Sequence, residues 1–158
     1  MKAIWRAGAL AALLAGWVGA SETRAGPDRI NILLGSEHLG ATRDFEEFNP
    51  GLFLTWTNLM WKNRLDLTVG AFRNSYGDGS AAVSAAYPLI RTEAWGLELF
   101  GALAWYPGNG DQFGHSIGDM VPIAGVQARF HYLYMQAIPA GGDGVDATLT
   151  LGLTFPVK

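Results

Sequence analysis

A hydroxyl and an imidazole are enough to move an acyl group: the hydroxyl attacks an ester carbonyl or relays a proton, and the imidazole takes and returns that proton near neutral pH. His38 and Ser75 are the pair in this chain that could do so, if the fold brings them together. Asn74, beside Ser75, adds an amide that can donate a hydrogen bond to a developing oxyanion. Zero cysteines exclude a thiol nucleophile, zinc-thiolate and iron–sulfur sites, and disulfides. His115, in a Gly-rich loop, and His131, at a bend, are read as incidental. Asp66, Glu98 and Asp146 alternate with threonines and glycines and read as members of polar ladders. No metal-ligand spacing occurs, so neither a metal site nor a cofactor is expected.

The elements that would position these groups follow from the pattern of apolar residues. Lys2 and Arg6 precede an uncharged run, 7–19, that ends in small residues. The run is shorter than the ~20 residues of a spanning helix, so 1–20 reads as a secretory signal peptide cleaved after Ala20. Losing Lys2 and Arg6 with it takes the net charge from −3 to −5. With no basic excess, a nucleic-acid partner is not expected. The remaining 21–158 form one domain that is apolar, exported and without cysteine staples. Its period is two almost throughout. In 145–155, Val145, Ala147, Leu149, Leu151, Leu153 and Phe155 share one face, with Thr148, Thr150, Gly152 and Thr154 on the other. Eight such strands are predicted, over 29–38, 49–58, 64–74, 80–88, 95–105, 119–129, 131–138 and 145–155. Most are about the 9–11 residues that cross a bilayer as a tilted strand. An even strand number, with short and long connections alternating, predicts an eight-stranded antiparallel up-and-down transmembrane β-barrel. Trp56, Trp61, Tyr87, Trp95, Tyr132 and Phe155 would form a girdle on the periplasmic side, and Phe48, Trp105 and Tyr106 one on the outer side. The alternative is a secreted barrel with its apolar face inward. The other face, of glycine, threonine and single acids, is too weakly polar to solvate an outer wall. Gly35, Gly70, Gly96, Ala102, Ala104 and Gly152 would then leave room in the lumen. In this topology strands one and three both run outward, which brings His38, Asn74 and Ser75 to one rim.

Five segments, Ser36–His38, Arg43–Gly51, Ala71–Tyr76, Val121–Gly125 and Gln136–Pro139, resemble in order and spacing the PagP-type lipid A palmitoyltransferases. The resemblance implies a monomeric outer-membrane enzyme whose partners are membrane lipids: a phospholipid donor and lipid A as acceptor. It implies His38 and Ser75 as catalytic residues. Asn74 stands where the family has an aspartate, so the anionic partner of the histidine is absent at that position. Arg43, Arg73 and Tyr76 would bind substrate at the outer rim, the arginines by gripping phosphates. Ala86 matches a glycine that sets acyl-pocket depth, and its methyl group would shorten the accepted chain. Pro50, Pro122 and Pro139 match prolines that mark lateral openings, since proline cannot donate to a strand ladder. Three function classes follow: a lipid acyltransferase, a lipid hydrolase such as a deacylase using the same Ser and His, and a non-catalytic barrel.

Overall fold

The computed structural model describes residues 26–139 and 144–157, so the expected signal segment 1–20 lies outside the described residues. The period-two segments form β1 (Arg29–Leu39), β2 (Gly51–Met60), β3 (Leu65–Arg73), β4 (Gly79–Arg91), β5 (Trp95–Trp105), β6 (Met120–Phe130), β7 (Leu133–Pro139) and β8 (Ala147–Pro156). Each strand pairs antiparallel with the next, and β1 pairs with β8, closing an eight-stranded up-and-down barrel. Connections 61–64, 92–94 and 131–132 lie at one end, the short-turn end. Connections 40–50, 74–78 and 106–119, with that from β7 to β8, lie at the other, the loop end.

Three register shifts interrupt strict alternation: one between Trp56 and Met60, where β2 pairs with β3 near the short turns, and two others that re-aim side chains. In β1 the register shifts between Leu33 and Gly35. Arg29, Asn31 and Leu33 face inward below the bulge, and Ser36 and His38 face inward above it. Gly35, expected in the lumen, therefore faces outward with Leu151, where an added Cβ would lie 2.5 Å from the Glu47 carbonyl oxygen. In β4 a shift between Pro88 and Ile90 lets the strand continue past the proline to Arg91, beyond the expected end at 88. Leu89 and Ile90 both turn outward, while Arg91 reaches Asp66 at the lumen wall. Asp146 is also corrected: it lies exposed in the loop before β8, its N–H donating to the Leu39 carbonyl, rather than on the lumenal face.

The barrel is inside-out. Apart from glycines, its buried residues are Asn49, Thr55, Asp66, Asn74, Ser80, Thr150 and Thr154, against the apolar Leu33, Ala86, Ala104, Val121 and Tyr134. Leu52, Leu99, Leu103, Met135 and Leu151, on β2, β5, β7 and β8, are each roughly half-exposed. Trp61, Trp95 and Tyr132 are exposed at the short-turn end. An apolar outer band with aromatic residues at its edge is the surface of a barrel that faces hydrocarbon. Tyr106 departs from the expected outer girdle: it lines the cavity mouth, edge-on to Phe72 and Tyr76.

The lumen holds a cavity of about 620 Å³ that runs to the loop end, a size typical of small-molecule sites. Its inward glycines do not simply leave space, as the sequence suggested. Gly70, Gly125 and Gly152 pair across the ladder with Phe53, Phe100 and Tyr134. An added Cβ at these glycines would lie 2.3, 3.1 and 2.4 Å from the opposing ring. Each glycine thus seats a large ring flat on the wall, and the free volume lies between rings and the small side chains Ala82, Ala86, Ala102 and Ala104.

Candidate active site at the loop end

β1 carries Ser36 and His38 to the inner face at the loop end, and the chain leaving β3 turns there at Asn74–Ser75. The Ser75 Oγ and His38 Nε2 are 3.0 Å apart, within the reach a nucleophile–base pair needs. Both residues are half-buried and line the cavity. Phe45, from loop 40–50, stacks on the imidazole with centroids 4.4 Å apart and planes 15° from parallel. That loop is tied to the site by the Glu46 N–H, which donates to the Ser75 carbonyl at 3.0 Å. The His38 Nδ1 is buried and has no hydrogen-bond partner among the described residues.

Asn74 is positioned differently from a partner of His38. It is 1% exposed, and its Oδ1 accepts from the N–H groups of Tyr76 (2.9 Å) and Asp78 (3.0 Å). Its Nδ2 donates to Ser80 Oγ at 2.9 Å. The amide is committed to building the turn 74–78 that holds Ser75, as asparagine commonly does in turns.

Arg43 bridges the mouth. Its guanidinium donates to Gln112 Oε1 at 2.7 Å and to the Tyr76 hydroxyl at 3.0 Å, and lies 4.9 Å from the Phe45 ring centroid and 5.4 Å from that of Tyr76. Burial pushes the Tyr76 hydroxyl above its ordinary range, with the Arg43 charge pulling the other way. Burial pushes Tyr106 up to about 12, so both phenols are neutral at physiological pH. Arg73 donates to Glu46 Oε1 at 2.8 Å on the exposed rim. Each expected phosphate-gripping arginine thus already has a protein partner.

Ala86 is buried in the lumen wall, opposite Asp66 on β3 and Phe100 on β5. The prolines flank two places where the ladder stops. β6–β7 pairing runs from Phe130↔Leu133 to Val126↔Ala137 and goes no further among the described residues, leaving 120–125 unpaired on that side. Pro122 lies within that stretch and Pro139 ends β7. β1–β2 pairing stops at Leu33↔Gly51, just after Pro50, while β1 continues to Leu39. That second seam is stitched by the Ser36 N–H donating to the Glu47 carbonyl at 2.8 Å.

Two groups beside the site escaped the sequence reading. Ser36 shares the inward face with His38, two residues away, a spacing that could have flagged it. Its Oγ donates to Asn49 Oδ1. Asn49 sits before Pro50-Gly51, where it reads only as a turn residue. No group of three or more His, Asp or Glu side chains arranged to hold a metal ion occurs among the described residues.

The short-turn end of the lumen is charged and fully partnered. Asp66 accepts from the Asn58 N–H at 2.8 Å and from Arg91. Arg29 donates to Thr154 Oγ1 at 2.8 Å, and Arg129 to the carbonyls of Thr92, Glu93 and Trp95. From Glu98 a chain of bonds runs up the wall: Gln127 donates to Glu98, Gln136 to Gln127, and Thr150 to Gln136, at 2.9, 2.9 and 3.0 Å.

No protein-family model matches the chain, and no curated protein matches it significantly. Among solved structures it is similar to the N-terminal β-barrel domain of Pseudomonas aeruginosa OprF, at 14% identity and a TM-score of 0.41, over 82% of this chain and 99% of that one.

Proposed function

We propose that the protein is an outer-membrane lipid acyltransferase of the PagP type, exported by the segment 1–20 and working as a monomer. The observation that carries the reading is the Ser75–His38 hydrogen bond at the mouth of a cavity walled by alanines and flat-lying rings. Acyl chemistry needs this pair, and a fatty chain needs such a slot. The apolar outer band supports a membrane setting.

A phospholipid reaches the lumen sideways, through the unpaired β6–β7 stretch beside Pro122 and Pro139, and Pro50 marks a second seam. Its acyl chain lies in the cavity with Ala86 in the wall. Ser75 Oγ attacks the ester carbonyl as its proton passes to His38 Nε2. The tetrahedral intermediate collapses, the bond to the lysophospholipid oxygen breaks, and that oxygen takes the proton from the imidazolium. A hydroxyl of lipid A then attacks the acyl-Ser75 ester and gives its proton to His38. Ser75 leaves and takes that proton back. Asn74 holds the turn that aims Ser75. Arg43, Arg73 and Tyr76 meet the acceptor's phosphates, the arginines exchanging their present partners for them.

Mass spectrometry of lipid A from cells with and without the protein tests this. An added acyl mass, lost in both His38→Ala and Ser75→Ala, is the expected result. A lost acyl mass would assign hydrolysis to the same pair, and an unchanged spectrum would leave a structural barrel.

A further inference from the structure

Directly below His38 on β1, Ser36 Oγ donates to Asn49 Oδ1. That bond fixes the amide and turns its other end, Nδ2, away. Asn49 is 3% exposed and lines the cavity, yet Nδ2 has no hydrogen-bond partner among the described residues. Buried donors are nearly always paired, because an unmade bond costs the full desolvation of the group. An amide held in place with its donor free is a site waiting for an acceptor.

Its place in the sheet says which acceptor. The β2–β3 ladder ends at Gly51↔Phe72, and the Arg73 N–H donates to the Pro50 carbonyl at 2.9 Å, so the pairing continues upward. The next position sets Asn49 opposite Asn74, the residue before Ser75. Asn49 therefore stands between Ser36, to which it is bonded, and the chain that turns at Ser75, one strand spacing of about 4.8 Å away. The corner supplies few donors of its own. The N–H groups of Asn74, Tyr76 and Gly77 are committed to Asp78 O, Asn74 Oδ1 and Asn74 O. The amide of Asn74 is committed as well.

We propose that Asn49 Nδ2 is the oxyanion donor of the His38–Ser75 site, with Ser36 as the residue that positions it. This rests on the acyl-transfer reading. As Ser75 Oγ bonds to the ester carbon, the carbonyl π pair moves onto oxygen, and the Asn49 N–H meets the resulting charge. When the intermediate collapses, that pair re-forms the carbonyl and the leaving oxygen departs with the His38 proton.

The test uses the full chain in detergent micelles, with phosphatidylcholine as acyl donor and lipid A as acceptor. Asn49→Ala is expected to lower kcat about 10²–10³-fold with KM little changed, the loss typical of one oxyanion donor. Asn49→Asp, which keeps the shape and the acceptor for Ser36 but cannot donate, is expected to lose at least as much. Ser36→Ala is expected to lose less than either. Gel mobility with and without boiling reports whether each barrel has closed, and if Asn49→Ala fails to close, Asn49→Asp decides. In the wild type, an alkyl fluorophosphonate captured by Ser75, with loss of fluoride and the Ser75 proton, puts a strongly polarised phosphoryl oxygen on a tetrahedral centre in the same place. The Asn49 side-chain amide proton should then move downfield. An inactive His38→Ala beside an Asn49→Ala of near wild-type rate, or an unmoved amide signal on a labelled protein, would overturn the role of Asn49 alone. An inactive wild type that also takes no phosphonate would overturn the acyl-transfer reading and the donor with it.

Discussion

At the short-turn end of the lumen each of the five charged side chains described has a partner, whereas at the loop end two buried polar atoms, His38 Nδ1 and Asn49 Nδ2, have none among the described residues. The ladders differ in the same sense. Near the short turns the β1–β2 and β6–β7 pairs are zipped, and among the described residues both stop before the loop end. Satisfied charges and complete ladders are what stability alone selects. Unsatisfied buried groups and a ladder left open cost free energy, and such local departures concentrate at functional sites. One end of this barrel reads as a closure, and the proposed function makes the other a workplace.

The strongest way to break that contrast is to remove the chemistry and ask what else goes. Ser75→Ala and His38→Ala should each lower the acyl-transfer rate by about 10⁴-fold or more, as losses of a nucleophile or its base do. The urea midpoint of unfolding from lipid vesicles should barely move for Ser75→Ala, which loses one hydrogen bond between two half-buried groups, and fall slightly more for His38→Ala, which also loses the stack with Phe45. A large fall in stability would make the pair a structural tie.

The reciprocal change is Asp66→Ala at the closed end. Asp66 is 4% exposed and accepts from Arg91 and from the Asn58 N–H, so its removal strands an amide and takes the counter-charge from a guanidinium left with only Asn58 Oδ1. A loss of about 3 kcal/mol in unfolding free energy is expected, the low end for breaking a buried pair because Arg91 is one-third exposed. Activity of the folded fraction should persist. If activity fell with stability unchanged, the closed end would belong to the site.

How far the sequence foretold this division depends on how local the cause is. β5 and β8 were legible because unbroken alternation is a local pattern. The shared rim of His38 and Ser75 was legible because strand direction alone sets it. The bulges were not, because an extra residue at Leu33/Gly35 or Pro88/Ile90 shows only against the neighbouring strand. The inward aim of His38 depends on the first of them, so its rim was readable but its orientation was not. Asn49 meets Ser36 across a loop, and the seating of Phe53 on Gly70 requires the register. Neither has a signature within one segment.

Between the ends lies Ala86, which sharpens where one becomes the other. It sits in the wall opposite Phe100 and beside the Asp66 level of the closed end. Ala86→Leu should shift the transferred acyl group to shorter chains, and Ala86→Gly to longer ones. Each methylene excluded forfeits about 0.8 kcal/mol of burial, roughly fourfold in kcat/KM. The masses of the acylated product read this directly. An unchanged length distribution would place the chain on another side of the lumen.

The smallest effect belongs to the second ion pair, and it is the most pointed control. Arg73 and Glu46 bond at 2.8 Å at the loop end, as Arg91 and Asp66 bond at the other, but their side chains are 47% and 43% exposed against 33% and 5%. Water and salt screen the exposed pair, and fixing two long side chains offsets most of what remains. Glu46→Ala should therefore cost no more than about 0.5 kcal/mol, and less at high salt, in the unfolding experiment that reports about 3 for Asp66→Ala. With Glu46 gone, Arg73 is released to meet an anionic lipid, so KM for lipid A should fall while kcat holds. A cost of 2 kcal/mol or more would mean that the loop end is braced as firmly as the closed end, and the distinction between a closure and a workplace would fail where it is easiest to measure.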